Sequence, residues 1–174
     1  MNTGSPPSGR SSQGERRAGA PGDRRSATRI SAPQKIRSAE VPDLPAASWT
    51  NAWRLGEEVV LSGMTAHPVT QHAAKHGRPM DAYDQALIVF GKLEALLIAA
   101  GGHRHNIVKT VVYLTSMADK DDIGRARREF FGGHFPCSTL VAVSELVFPE
   151  LRVEIDAWAR LDVDLRDASL TSVV

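Results

Sequence analysis

Residues 135–161 read FPCSTLVAVSELVFPELRVEIDAWARL, and they contain two strand patterns. Over 151–161 every odd-numbered residue is apolar and every even-numbered residue is charged except Trp158, which is the period of a half-buried β-strand. The run 139–143 is a second β-rich pattern, and Pro149 interrupts the chain between the two. We predict two strands joined by a hairpin-like connection and paired as antiparallel neighbours.

The strand predicted at 151–161 has two different faces. Its odd-numbered face suits a hydrophobic core. Its even-numbered face mixes charge with one large aromatic side chain, which neither a core nor a plain solvent surface explains. The residues of that face are Arg152, Glu154, Asp156, Trp158 and Arg160. This unmatched face leads us to expect an assembly of several copies.

Two helices are predicted before this stretch. Apolar residues at spacings of three and four indicate a long helix over 81–100, with Asp81 as N-cap and two glycines after its end. A second helix begins at Asp119 as the candidate cap, carries one apolar stripe and ends at Gly132.

Strand patterns lie on either side of the long helix. The β-branched run 107–114 predicts a central strand. Three further strands are predicted upstream, at 36–38, 49–55 and 59–63, the last of them ending at Gly63. The segment 65–80 is predicted to be a surface loop, and 162–174 is a C-terminal tail without assigned structure.

The first 35 residues differ in composition from the rest. Gly, Ser, Pro, Ala and Arg dominate, and seven basic residues stand against two acidic ones, so this segment carries a net charge of +5. With almost nothing to bury, it is predicted to be a disordered basic tail. The whole chain carries +1, which leaves −4 for the remainder and argues against specific nucleic-acid binding by the folded part.

One compact domain over 36–161 accounts for the rest of the chain. We see no run of eighteen apolar residues and no secretory leader, so we expect a soluble, cytoplasmic protein without a membrane span. The single cysteine, Cys137, cannot form an internal disulfide, which fits a reducing compartment.

The order of elements and five short motifs resemble the Rid family, the YjgF-like reactive-intermediate deaminases, from about residue 36 to residue 161. The motifs are Ser62-Gly63, AAGG at 99–102, IVKT at 107–110, Phe135-Pro136 and VEIDA at 153–157. The resemblance implies an α+β, chorismate-mutase-like fold of order β-β-β-α-β-α-β-β, with two helices on one face of a mixed sheet. It also implies a homotrimer with a central sheet barrel and ligand clefts between neighbouring subunits.

The resemblance assigns roles to three residues. Glu154 matches a cleft glutamate that positions or activates the attacking water; an ion pair with Arg152 or Arg160 across a polar interface is the alternative. Trp49 occupies the place of a tyrosine that lines the cleft, with interface packing as its alternative. Gly63 matches a glycine whose backbone meets the ligand.

Two residues depart from the family pattern. Ser138 stands where these deaminases carry an arginine that pairs with the substrate carboxylate, and a serine cannot supply that charged fork. Ser138 is therefore a candidate hydrogen-bond donor in the cleft, or it only leaves space. Gly124 falls where asparagine is frequent. Beside Ser138, Cys137 is a second candidate for the cleft wall, although we expect it to be a small buried hydrophobe.

The predicted activity is hydrolytic deamination of a small imine or enamine, with Glu154 and Ser138 as the candidate catalytic residues. Because the carboxylate-binding arginine is missing, the substrate by analogy resembles 2-aminomuconate. The alternative is a non-catalytic trimer that binds a metabolite or a partner protein. An acidic domain without a basic aromatic groove argues against ribonuclease activity.

No cofactor is predicted. Two histidine pairs, His72 with His76 and His103 with His105, lack a third ligand at a recognisable spacing, so we predict no metal site. The two glycines at 101–102 follow a helix instead of opening one, so they do not form a phosphate-binding loop.

Overall fold

The computed structural model describes Met1, Gly4 and residues 32–169, so most of the predicted basic tail lies outside the described residues. The described chain contains six strands and three α-helices. They are β1 (Gln34–Lys35), β2 (Ala52–Leu55), β3 (Glu58–Thr65), α1 (Val69–Lys75), α2 (Ala82–Ala99), β4 (Ile107–Leu114), α3 (Lys120–Phe131), β5 (Cys137–Ala142) and β6 (Val153–Arg160).

All six strands form one sheet in the order β1-β2-β3-β6-β4-β5. Every neighbouring pair is antiparallel except β4 and β5, which are parallel. The predicted antiparallel hairpin of β5 and β6 is therefore wrong. A parallel partner needs a crossover, which α3 supplies, and the connection 143–152 is long enough to carry the chain past β4 so that β6 inserts between β3 and β4.

The face of the sheet that α2 and α3 cover, here called the helix face, holds the core. On β6 the odd-numbered residues Val153, Ile155, Ala157 and Ala159 are fully buried there, which confirms the alternation read from the sequence. The even-numbered residues lie on the opposite side, here called the open face. The predicted mixed α+β architecture is confirmed, with α1 as an additional helix.

The predicted long helix is confirmed as α2, and both of its ends have the predicted capping signals. Asp81 is the N-cap, and its side chain accepts a hydrogen bond from the Asp84 backbone N–H at 2.8 Å. At the other end Gly101 has φ +91, and the Gly102 N–H donates to the Leu97 carbonyl at 2.8 Å. This left-handed turn satisfies carbonyls that the last helical turn leaves free.

The second helix differs from its prediction at the first residue. Asp119 precedes α3 but makes no side-chain cap. Its buried carboxylate accepts two hydrogen bonds from the Arg152 guanidinium, at 2.7 and 2.9 Å. A bidentate charged pair is stronger than a single bond to a backbone N–H, so Asp119 ties the start of α3 to the residue before β6.

Several predicted boundaries need correction. The first strand covers Gln34–Lys35 rather than 36–38, because the backbone pairs with β2 just before the buried Ile36. The segment 65–80 contains helix α1, whose seven residues are too few and too polar to show a helical period. Strand β3 does not end at Gly63 but continues to Thr65 through a bulge. Within the described residues no helix is long and apolar enough to cross a membrane.

Candidate active site

A β-bulge in β3 brings Gly63 and Glu154 together. Leu61 pairs with Ala157 and Met64 pairs with Ile155, so β3 has one more residue than β6 between these pairs. A Cβ added at Gly63 would overlap Oε1 of Glu154 and lie 2.9 Å from its Cδ. Only glycine leaves room for this carboxylate in its present position. The predicted contact of the Gly63 backbone with a ligand stays a prediction.

Glu154 is half-buried on the open face and has a carboxylate neighbour on the same strand. Burial raises the pKa of Glu154 above its ordinary value of 4.5, and the negative charge of Asp156 raises it further. Among the described residues no group donates a hydrogen bond to the Glu154 carboxylate. Within the chain the guanidinium groups of Arg152 and Arg160 bind Asp119 and Asp162 instead of Glu154, and the alternative of a pair across an interface stays a prediction.

Asp156 is held differently from Glu154. The Tyr113 hydroxyl donates to Asp156 Oδ2 at 3.3 Å, while Oδ1 is buried without a partner among the described residues. Burial raises the pKa of Asp156, and the hydrogen bond from Tyr113 opposes that shift. The sequence analysis assigned no role to Tyr113, because only the pairing of Tyr113 with Glu154 across β4 and β6 places it beside the two carboxylates.

Trp49 lies at the edge of this group. It is 55 % exposed and precedes β2 instead of lying within a strand. Ser62 Oγ donates to the Thr50 carbonyl at 2.6 Å, and the Ser62 N–H donates to the Asn51 carbonyl at 2.9 Å. These bonds hold the Trp49 segment against the bulge, and the exposed indole is available to a ligand or to another subunit.

Ser138 lies on the other side of the sheet from Glu154. It pairs with Thr110, and the Thr110 hydroxyl donates to Ser138 Oγ at 3.1 Å. Thr110 is buried on the helix face and also pairs with the core residue Ala157, so Ser138 faces the helices. Within one chain, therefore, the structure does not bring the two predicted catalytic residues together.

Cys137 faces the opposite way from Ser138, as strand geometry requires. It pairs with Lys109, which in turn pairs with Trp158 of the open face. The expectation that Cys137 is buried is wrong in the chain, where it is exposed. The reason is its position at the start of an edge strand, which has a neighbour on one side only.

Gly124 lies in the first half of α3. A Cβ at Gly124 would meet only Arg128 Nη1, at 3.5 Å, so the surroundings do not require glycine there. One turn further along the helix is Arg127, whose Nε and Nη2 are buried without a hydrogen-bond partner among the described residues. The sequence analysis missed Arg127, because a charged residue beside an apolar helical stripe usually lies in solvent.

Histidines form no metal centre within residues 32–169. His72 on α1 and His76 directly after it have ring centroids 4.3 Å apart. His103 caps a short turn before β4, His105 lies within that turn, and their centroids are 5.9 Å apart. In this part of the chain no group of three or more His, Cys, Asp or Glu side chains could hold a metal ion.

Comparison with known proteins places these features in a family. A model described as Endoribonuclease L-PSP matches residues 41–161. A mite protein from Dermatophagoides farinae named 2-iminobutanoate/2-iminopropanoate deaminase is 29 % identical over 72 % of this chain and 94 % of its own length.

Solved structures agree with that family match. A Pseudomonas aeruginosa protein of unknown function is 63 % identical, with a TM-score of 0.78 over 79 % of this chain and 99 % of that one. TdcF of Escherichia coli, solved with bound serine, is 27 % identical, with a TM-score of 0.62 over 73 % of this chain and 98 % of TdcF. The chain belongs to the Endoribonuclease L-PSP family, which is the Rid or YjgF-like family that its motifs resemble.

Proposed function

We propose that the protein is a hydrolytic deaminase of a small imine or enamine and that Glu154 assists the attack of water. The observation that carries this proposal is the Glu154 carboxylate itself. It is half-buried against Gly63, lacks a hydrogen-bond donor among the described residues, and has a raised pKa. A carboxylate in this state is a better proton acceptor than one in water.

The chemistry needs only modest help from the protein. Glu154 takes a proton from water as the water oxygen bonds to the carbon of the protonated imine, which gives a neutral carbinolamine. The same carboxyl returns that proton to the nitrogen, the C–N bond breaks and ammonia leaves, and the carboxylate takes the hydroxyl proton as the carbonyl forms. General acid–base assistance of about 10²- to 10⁴-fold is the usual contribution of one positioned group.

The names of relatives support this reaction class. The mite protein is named for the deamination of 2-iminobutanoate and 2-iminopropanoate, and TdcF binds serine in its structure. Each of these three molecules is a small carboxylate with a nitrogen atom on its α-carbon. We propose the same class of small metabolite for this chain, without a bound cofactor.

The site is proposed to be completed in a homotrimer. The open face carries partly exposed polar and aromatic side chains that no helix covers, including Trp53 at 40 % exposure. A barrel of three sheets would cover this face and place Glu154 in clefts between subunits. Light scattering at micromolar concentration should give three times the chain mass, and a monomeric mass would contradict this part of the proposal.

The test of the catalytic role is Glu154→Gln, which keeps size and hydrogen bonding but removes the base. We expect kcat for ammonia release from 2-iminobutanoate to fall by about 10²-fold. The matched control is Glu40→Gln, because the Glu40 side chain is exposed and far along the chain from the site. Turnover by Glu154→Gln at the parental rate would make Glu154 an interface residue.

The Ser138 position separates this proposal from its alternative. Ser138→Arg restores the family arginine and should increase the preference for small carboxylated enamines. If only Ser138→Arg released ammonia while the natural protein acted on no imine tested, the natural protein would be a binding trimer that has lost the deaminase step.

A further inference from the structure

Arg127 is a half-buried cation to which the proposed reaction assigns no role. Its Nε and Nη2 atoms are buried, and residues 32–169 give them no hydrogen-bond partner. Burial lowers the pKa of Arg127 below its ordinary value, but a guanidinium remains protonated at neutral pH. A buried charge without a counter-ion is destabilising, so an anion that reached Arg127 would be bound tightly.

Contacts with α2 define the direction in which Arg127 leaves its helix. The Glu129 carboxylate accepts a hydrogen bond from the Tyr83 hydroxyl of α2, and Arg125 lies 3.8 Å above the Tyr83 ring. Arg127 is two residues from each of them, and two residues turn about 200° around a helix axis. Its side chain therefore leaves α3 on the side away from α2, and because its guanidinium is buried, it lies toward the sheet.

From the crossover connection we expect this side chain to lie near Ser138. Strands β4 and β5 are parallel and α3 joins them, so α3 runs back from the end of β4 to the start of β5. The second half of α3, which contains Arg127, thus lies level with the first residues of β5. Ser138 is the second residue of β5 and faces the helices.

The groups around this edge suit a carboxylate. Ser138 Oγ accepts a hydrogen bond from Thr110, so its own proton is free to be donated. Gly124 has no side chain to close the space one turn before Arg127. A guanidinium and a hydroxyl can bind the two oxygens of one carboxylate, and the guanidinium fork gives the stronger bonds.

We propose that Arg127 binds the substrate carboxylate from α3, in place of the arginine that Ser138 replaces on β5. This inference rests on the proposed function for its substrate class, because it assumes that the cleft takes a small carboxylated imine. It also changes the expectation from the sequence: the loss of the strand arginine need not exclude small amino-acid-derived imines.

The test compares Arg127→Met with Arg125→Met. Both variants remove one positive charge from α3, but Arg125 lies exposed on the side of Tyr83. We expect Arg127→Met to lower kcat/KM for 2-iminobutanoate by about 10- to 100-fold, with less than about 3-fold change for the imine of butanone, which has no carboxylate. Arg127→Lys should recover part of the loss, since it keeps the charge but not the fork.

A binding measurement separates this inference from the proposed function. Calorimetric titration with 2-oxobutanoate, the keto acid that remains after deamination, needs no catalysis. Binding by the natural protein and by Arg125→Met but not by Arg127→Met would support the inference even if no imine were turned over. Equal affinity of the natural protein and Arg127→Met for 2-oxobutanoate, absence of binding by the natural protein, or equal loss of activity on both imines would overturn it.

Discussion

The two halves of the candidate site differ in where their charges lie and in what they lack. The first half, Glu154 against the bulge at Gly63, lies on the open face and offers a base without a cation. The second half, for which we proposed Arg127 together with Ser138, belongs to the helix face and offers a cation without a base. Because the sheet separates them, one small ligand cannot touch both halves of the same chain.

This separation explains why the protein would need an assembly for its chemistry and not only for its stability. A ligand that binds Arg127 through its carboxylate would meet the Glu154 of another subunit if the edge of one sheet lies against the open face of the next. We therefore expect Arg127 of one subunit to act together with Glu154 of the next.

The largest expected effect comes from mixing two damaged proteins. Glu154→Gln and Arg127→Met are each expected to be nearly inactive on a low concentration of 2-iminobutanoate. Random co-assembly of the two chains as trimers would create clefts in which the intact Arg127 of one subunit meets the intact Glu154 of the next. Each trimer that contains both chains should then have one intact cleft out of three, and ammonia release from these mixed trimers should recover to about a third of the natural rate.

The mixing experiment has a clear opposite outcome. The two variants would be co-expressed with different tags and purified through both tags, and each variant purified alone would serve as the control. Activity equal to the mean of the two variants alone would mean that each site is built within one chain, and the division into two half-sites would be wrong.

A smaller effect is expected from Gly63→Ala. The new Cβ would displace the Glu154 carboxylate, and a misplaced base of this kind should lower kcat by about 10- to 100-fold. Stability should change little, because the displaced atoms are at the end of a flexible side chain and Gly63 is not among the glycines with positive φ.

The matched control for Gly63→Ala is Gly91→Ala. Gly91 is exposed on α2, and a Cβ there meets nothing within 4 Å. Alanine in a helix should raise the free energy of unfolding by about 0.5–1 kcal/mol and leave kcat unchanged. If Gly63→Ala instead lost much stability at full kcat, the glycine would serve packing and not the placement of Glu154.

The sequence predicted the first half-site better than the second for a physical reason. Strict alternation on β6 separates core residues from Glu154 without knowledge of any neighbour, and short motifs identified Gly63. The direction of Arg127 depends on how α3 packs against α2 and the sheet, and the helical stripe alone assigns such a residue to solvent. Similarly, the buried and open faces of β6 were predicted correctly from its alternation, but its pairing with β5 was predicted wrongly. The period of one strand does not determine which strands lie beside it.

The smallest expected effect concerns pH, and it arises from the first half-site alone. Burial and Asp156 raise the pKa of Glu154 in the folded state, so folding favours the protonated form. At pH values between the pKa of Glu154 in the unfolded state, near 4.5, and its raised pKa in the folded state, the native protein binds more protons than the unfolded one. Its stability therefore falls as pH rises through this window. Glu154→Gln removes this dependence, so the variant and the natural protein should differ least at low pH, and the variant should gain relative stability as pH increases through that window.

Urea unfolding of both proteins at one protein concentration across this pH range measures the difference. The kcat/KM of the natural protein should rise through the same window as the base becomes ionised. An inflection at or below pH 4.5 would contradict the prediction, and it would indicate that a cation of another subunit pairs with Glu154 in the assembled cleft.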